Sequence, residues 1–242
     1  MKIFWIVVLF AVWQWVPMSA LFPRPLGTWN EFVRLYNNGI LVDAWVSTWT
    51  IIRAAFFIAL PLGLILSYLY TIEFFRPPIA LLANYRNVSM TALVAAFIMM
   101  RMGGDQLKVY TMAFVILVYF LSSRLFAFMN QSRDELDHAV SMRMSPWQTL
   151  WHRIVRGKLH LALLDFVPCI GMGWAMLSFV EGTARDNGGL GDVMLQVDKI
   201  NSYDGILALA IISVVIGGTI TTVLRGGIRG YFRYATQVAI QG

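Results

Sequence analysis

Long apolar runs are the feature of this sequence that most constrains its fold. A helix that crosses a lipid bilayer needs about 20 consecutive, mainly apolar residues. Six segments meet this requirement, namely Ile3–Phe22, Trp45–Tyr70, Ile79–Met100, Val109–Met129, Leu159–Val180 and Ile206–Leu224. Because hydrocarbon offers no partners for backbone N–H and C=O groups, such runs fold as helices. The sequence therefore predicts an all-α membrane bundle of about six transmembrane helices, in one domain over residues 1–242.

Two of these six segments have a second interpretation. The third is interrupted by Asn84, Arg86 and Asn87, which gives Val88 as an alternative starting point for the span. The first resembles a secretory signal peptide, but its apolar run is long and the residues before Ala20 fit a small-residue cleavage site badly. We therefore expect the first segment to be a transmembrane span.

The composition excludes a water-soluble fold. Hydrophobic residues make up 58% of the 242 residues and charged residues only 13%, so a soluble protein of this kind would expose large apolar patches. The single cysteine, Cys169, excludes a disulfide framework, and the three dispersed histidines do not indicate a metal site. The net charge of +6 comes from basic residues at the ends of apolar runs rather than from one block, so no nucleic-acid partner is expected.

The positions of Lys and Arg predict the orientation of the chain, because these residues concentrate on the cytoplasmic side. If the N-terminus is cytoplasmic, twelve of the 19 Lys and Arg residues fall on the inner side and six on the outer side. The remaining one, Arg53, lies within the second span. This asymmetry predicts that both termini, and the long polar loop between the fourth and fifth spans, are cytoplasmic.

The polar loop from Ser132 to His160 reads as two short helices. Ser132 is followed three residues later by Glu135, and Ser145 by Gln148, and each pair matches the capping box that begins a helix. The second helix carries an apolar face at helical spacing, formed by Trp147, Leu150, Trp151 and Ile154. Two interpretations are open: an amphipathic helix on the lipid interface, or a docking element for a soluble partner.

Within this loop, one pattern resembles the cytoplasmic EAA loop of type I ABC importer permeases. That loop contains Glu-Ala-Ala, three further residues, Gly, and a Trp-containing helix that ends near Leu-Pro. Here Asp137, His138 and Ala139 fall on Glu-Ala-Ala, while Arg143 falls on the Gly and Trp147 on the aromatic position. The Gly and the Pro of the family pattern are absent from this chain. The resemblance implies that these five residues contact an ATPase.

Other segments resemble the same family, in its nitrate, sulfonate, taurine and bicarbonate branch. The stretch EGTARDNGGLG, from Glu181 to Gly191, is similar to the acidic residue followed by Gly-Leu-Gly in that branch. The outer segment Phe22–Leu41 also matches, with Pro-x-Pro before a short helix and Gly39. The resemblance thus covers nearly the whole chain.

The resemblance implies a permease subunit of an ABC importer in the bacterial cytoplasmic (inner) membrane. Its implied partners are ABC ATPase subunits, an extracytoplasmic substrate-binding protein, and a second permease that is either an identical copy or a related chain. No G-x-x-x-x-G-K-[ST] motif occurs in the sequence. ATP and Mg would therefore be used by the partner ATPase, and no cofactor or metal and no catalytic residue is expected in this chain.

Ionisable residues inside spans are candidates for a substrate pathway, because burying a charge in the membrane is costly. Arg53 lies about eight residues into the second predicted span, roughly 12 Å deep at 1.5 Å per residue. Glu181 lies at the outer end of the fifth span. We expect these two residues to line the pathway. Asp165, in the inner half of the fifth span, is expected to anchor the loop through Lys158 or Arg156.

Two further functions remain open at this stage. The chain could be a membrane anchor or sensor subunit whose loop docks a soluble signalling protein. It could also be a secondary transporter, although no inverted repeat and no acidic relay through the spans is evident. The sequence does not identify the substrate, since Arg53 fits a small anion whereas the aromatic spans also fit an apolar molecule.

Overall fold

A computed structural model of the chain describes residue 23 and residues 25–129, 159–184 and 188–232, and it contains no strand in these ranges. The helices, numbered in chain order, are α1 (Pro25–Asn37), α2 (Ile40–Ile52), a π-helix (Arg53–Ala59), α3 (Leu60–Leu69), α4 (Arg76–Asn84), α5 (Met90–Met99), α6 (Gly104–Met129), α7 (Leu159–Ala184), α8 (Leu190–Lys199) and α9 (Tyr203–Tyr231). The predicted all-α class is confirmed for these residues. The predicted first span, Ile3–Phe22, and the coupling loop at about 132–158 lie outside them.

Four helical segments are long and apolar enough to cross a membrane: Ile40–Leu69, Gly104–Ala127, Leu159–Ala184 and Tyr203–Tyr231. They correspond to the predicted second, fourth, fifth and sixth spans. Each begins at or before the predicted residue, because hydropathy marks the apolar centre of a helix whereas the backbone cap decides where it starts. For example, α2 starts at Ile40 because Gly39, at φ 86°, ends the preceding turn in a left-handed conformation.

The predicted third span, Ile79–Met100, is not one continuous helix. The chain here forms two helical parts, Glu73–Asn87 and Met90–Met99, with a bend of 114° between them. The break occurs where Val88 takes an extended conformation and Ser89 caps α5 by accepting a hydrogen bond from the Ala92 N–H. The polar interruption in the sequence is therefore a break between two short helices, and the bent pair raises the number of candidate spans to at most five in the described residues.

Helices α6 and α7 form the centre of the bundle. Phe120 of α6 and Phe166 of α7 pack edge to face, with ring centroids 5.0 Å apart and both side chains buried. One turn from Phe120 along α6 and two turns from Phe166 along α7, Ile116 lies so close to Gly173 that a Cβ added to the glycine would be 2.7 Å from the Ile116 side chain. Gly173 thus allows close packing of the two helices.

The second span contains the π-helix directly before Pro61. A proline inside a helix clashes with the carbonyl group four residues earlier, here that of Phe57. The wider π-helical turn over Arg53–Ala59 lies where this clash would occur. Ala54, Ala55 and Ala59 are fully buried on the face that packs against α6. Short side chains allow the widened turn to approach α6 closely.

Helices α8 and α9 complete the bundle. Helix α9 packs against α1, α7 and α8. Trp174 of α7 anchors this contact by donating its indole N–H to the Ser213 carbonyl oxygen, 2.8 Å away. Gly217 lies directly against the same indole ring, where a larger residue would not fit.

Candidate functional site

The carboxylate of Glu181 forms the centre of a buried polar cluster near the C-terminal end of α7. Its side chain has no exposed surface. The Ser47 hydroxyl of α2 donates toward both carboxylate oxygens, at 2.7 and 2.9 Å, and the Gly191 N–H donates to Oε2 at 2.9 Å. The Leu190 N–H completes the cluster by donating to Ser47 Oγ at 2.9 Å. Two distant helices and one loop are therefore joined around a single acid.

The glycine residues of this loop are required by its shape. Gly188 and Gly189 have φ values of 117° and 111°, in the region that L-residues with side chains avoid. An added Cβ at Gly189 would lie 2.5 Å from the Glu181 carboxyl carbon, and one at Gly191 would overlap the Ser178 carbonyl oxygen. The segment Gly-Gly-Leu-Gly folds onto Glu181 because no larger residue fits at these three glycine positions.

Lys108 of α6 contributes a buried cation to the same cluster. The residue is only 2% exposed, and its Nζ donates to the Gly188 carbonyl oxygen at 3.1 Å. Lys108 also lies within electrostatic range of Glu181, so its positive charge stabilises the nearby carboxylate. We call Glu181, Ser47, Lys108 and the loop Gly188–Gly191 the acid–glycine lock. It joins α2, the start of α6 and the C-terminal end of α7 to one another.

An open cavity of about 430 Å³ lies beside the lock, between α1, α2 and α8. Its polar lining includes Glu31, Arg34, Asp43 and Asp192. Asp43 connects the cavity to the lock, because its carboxylate accepts a hydrogen bond from the Gly189 N–H at 3.3 Å. A displacement of Asp43 in the cavity wall would therefore act directly on the Gly189 backbone of the lock.

Arg53 is held in a two-pronged ion pair. Its guanidinium donates to both carboxylate oxygens of Asp105, at 2.7 and 2.6 Å. Asp105 lies in the first turn of α6, where a negative charge is also favourable to the helix dipole. The pair ties the start of the π-helix to the start of α6, and an anion in a pathway would have to compete with Asp105 for Arg53.

A second ion pair joins α6 and α7 near the opposite end of the bundle. Arg124, almost fully buried, donates to an Asp165 carboxylate oxygen at 3.0 Å. The sequence suggested Lys158 or Arg156 as the partners of Asp165, and both lie outside the described residues. The partner that the structure gives, Arg124, belongs instead to the preceding span.

A cavity of about 700 Å³ opens between α4, α6 and α7. Arg86, in the break between α4 and α5, lines it and donates to Ser122 Oγ at 3.1 Å. The remaining lining is mainly apolar, with a few hydroxyl and amide groups. It comprises Tyr70, Ala80, Ala83, Asn84, Tyr119, Ser122, Ser123, Leu125, Phe126, Pro168, Cys169 and Met172.

The residues predicted for a site fall into two groups. The coupling residues Asp137, His138, Ala139, Arg143 and Trp147 lie outside the described part of the chain and remain predictions. The pathway candidates Arg53 and Glu181 are both described, but the structure places them in separate polar clusters, and Glu181 is buried rather than open to a cavity. Their pathway role also remains a prediction.

Sequence reasoning missed the partners of these residues. Ser47, Asp105 and Arg124 were not selected, although Ser47 lies one helical turn after Asp43 and Asp105 follows two glycines at a helix start. These are weak local signals. Within the described ranges, no group of three or more His, Cys, Asp and Glu residues could hold a metal ion.

Comparison with known proteins adds no family assignment. The chain matches no protein-family model and no curated protein. The resemblance to ABC importer permeases therefore rests on the residues of this sequence alone and remains a prediction.

Proposed function

We propose that this chain is the permease subunit of an ATP-driven ABC importer, resembling the type I permeases of the nitrate, sulfonate and taurine branch. The observation that carries the proposal is the acid–glycine lock. The sequence pattern that first suggested the family, an acid followed by Gly-Leu-Gly, folds into one buried unit. Each of Glu181, Gly189 and Gly191 has a structural role in that unit. Because all three residues take part in one buried unit, the match to the family pattern is more than a coincidence of composition.

The lock suits a transporter that works by alternating access. Such a mechanism needs groups of helices that rotate as rigid bodies around a substrate site. The hydrogen bonds of Ser47, Lys108 and Glu181 hold the outer ends of three spans together. A motion applied to one of these helices is then transmitted to the other two.

The ion pair between Arg124 and Asp165 suits the coupling role of the polar loop. Helix α6 ends at Met129 and α7 begins at Leu159, so the loop connects the two helices that this pair joins. An ATPase that moves the loop would act on both helices at once. In this proposal Asp137, His138, Ala139, Arg143 and Trp147 form the ATPase contact.

The proposed topology has six spans with both termini in the cytoplasm of a bacterium, and the polar loop on the same side. The segment Ile3–Phe22 is the first span, and the bent pair α4–α5 crosses as a broken third span. Two permeases, identical or related, form the pathway at their interface. Two ATPase subunits supply the energy from ATP and Mg, and an extracytoplasmic binding protein delivers the substrate.

Co-purification tests the proposal. The tagged chain, extracted in mild detergent from its native membrane, should carry an ABC ATPase. The variant Asp137→Lys should lose that ATPase, because the exchange reverses a charge in the proposed contact. The matched control is Asp134→Lys, which makes the same charge change three residues earlier and outside the family pattern. Recovery of a folded chain without any ATPase, together with ion-driven uptake, would contradict the proposal and favour a secondary transporter.

A further inference from the structure

Arg86 is a cation at membrane depth that has no acidic partner in the described residues. Arg53 is paired with Asp105 and Arg124 with Asp165. By contrast, no carboxylate of residues 25–129, 159–184 or 188–232 forms an ion pair with Arg86, whose hydrogen bond goes to the neutral hydroxyl of Ser122. An uncompensated charge within a membrane is costly. The surroundings of Arg86 therefore favour an anion from outside the chain.

The depth of Arg86 can be estimated from its partner on α6. Helix α6 has 26 residues and is about 39 Å long at 1.5 Å per residue. If it stands upright and centred on a hydrocarbon core of about 30 Å, it extends about 4–5 Å beyond each edge. Ser122 lies seven residues before Met129, about 10 Å from the helix end. The Arg86 guanidinium is thus roughly 6 Å below the hydrocarbon edge, within reach of lipid phosphates.

The cavity next to Arg86 has the properties of a site for an amphipathic molecule. Its volume of about 700 Å³ lies within the range of small-molecule sites, which are mainly apolar with a few polar groups. Asn84 and Ser123 place such polar groups near Arg86, while Phe126 and Met172 form part of the apolar wall. A second, smaller cavity of about 80 Å³ shares Arg86 and provides further apolar space.

The wall of this cavity continues onto the outer surface of the bundle. Phe126 is 69% exposed and Met172 is 42% exposed, so the cavity opens where hydrocarbon surrounds the helices. The break between α4 and α5 exposes two more large side chains, Tyr85 and Val88, on either side of Arg86. Aromatic and basic residues in this arrangement are typical of the membrane interface.

We propose that the cavity between α4, α6 and α7 binds an anionic phospholipid from the leaflet at the C-terminal end of α6. The phosphate accepts hydrogen bonds from Arg86, and an acyl chain lies along Phe126 and Met172. A phospholipid fits these observations better than a soluble anion, because the apolar part of the cavity opens toward hydrocarbon. The leaflet is the cytoplasmic one only if the proposed topology holds, but the binding itself does not depend on the transport function.

Native mass spectrometry of the purified chain tests the proposal. The chain is titrated with phosphatidylglycerol and, separately, with phosphatidylcholine of the same acyl chains. We expect phosphatidylglycerol to bind more tightly, and Arg86→Gln to weaken it at least about 10-fold, as for a lost charge-assisted hydrogen bond. The matched control is Arg76→Gln, because Arg76 begins α4, the helix that ends just before Arg86, but lies outside the cavity lining.

A second variant keeps the test decisive if Arg86→Gln does not fold. Met172→Trp fills the apolar part of the cavity and leaves Arg86 in place, so it too should weaken phosphatidylglycerol binding. Three results would each overturn the proposal. The first is equal affinity for both lipids, and the second is an equal loss of phosphatidylglycerol affinity in Arg76→Gln and Arg86→Gln. The third is displacement of the lipid by inorganic phosphate or by a second copy of the chain. Failure of the co-purification experiment would count against the proposed transport function and leave the lipid site intact.

Discussion

Removing the carboxylate of Glu181 should destabilise the protein strongly, because it leaves two buried groups without their partner. The Gly191 N–H would lose its acceptor, at a cost of about 1–3 kcal/mol. The Ser47 hydroxyl would lose its acceptor at a similar cost, and the buried ammonium of Lys108 would lose a negative charge within its electrostatic range. These terms overlap, since all come from the same acid. We therefore expect Glu181→Ala to lower the free energy of unfolding by about 3–5 kcal/mol, the combined cost of two buried donors left without an acceptor.

The experiment compares thermal unfolding of purified variants in one detergent. For a chain of 150–250 residues, 1 kcal/mol corresponds to about 2–4 °C in Tm, so Glu181→Ala should lower Tm by about 6–20 °C. The matched control is Glu31→Gln, which removes an acid from an outer ion pair with Arg34. That pair is solvent-exposed, so its loss should change stability by less than about 1 kcal/mol.

A double variant tests the reasoning about charge balance. In Glu181→Gln the amide keeps the shape of the side chain, so the loss comes mainly from the missing negative charge beside Lys108. Adding Lys108→Met removes the cation that this charge attracts, so the losses of the two substitutions should be less than additive. If the two substitutions instead cause losses that simply add, Lys108 and Glu181 do not balance each other, and our account of the lock is wrong.

Two further substitutions probe the same architecture. Gly191→Ala should prevent the loop from closing on Glu181, since its Cβ would overlap the Ser178 carbonyl oxygen. Limited proteolysis should therefore cut the loop Gly188–Gly191 faster in this variant than in the control variant Gly103→Ala, where the added Cβ meets open space. Asp105→Asn should lower Tm only slightly, because the ion pair with Arg53 is partly exposed. A loss of Tm as large as that of Glu181→Ala would show that the pair is far better shielded from solvent than its exposure indicates.

The spans were predictable from the sequence because hydropathy reports directly on the apolar length of a helix. The four described spans were located in this way, and the polar residues near Arg86 marked the break in the third. The angle of that break was not predictable, since it depends on the extended backbone of Val88 and the cap at Ser89. Apolar periodicity carries no information about such caps.

The candidate site was predictable only in part. Glu181 and the glycine loop were recognised because they are close together in the chain. Ser47 was missed because it lies 134 residues from Glu181, and a lone serine in an apolar helix gives no signal of its own. The pairing of Arg53 with Asp105 was missed for the same reason, since the two residues belong to different helices.

The order of residues in the acid–glycine lock also bears on how the protein is made. Ser47 leaves the ribosome 134 residues before Glu181, which corresponds to about 7–27 s at 5–20 residues per second. Lys108 comes 61 residues after Ser47 and 73 residues before Glu181. For those last 73 residues, about 4–15 s at the same rate, Ser47 and Lys108 are already synthesised while the carboxylate that they surround in the finished protein does not yet exist. The lock therefore closes only after Glu181 and the glycine loop have been made, and a ribosome that stalls before Glu181 leaves the two older side chains without that carboxylate.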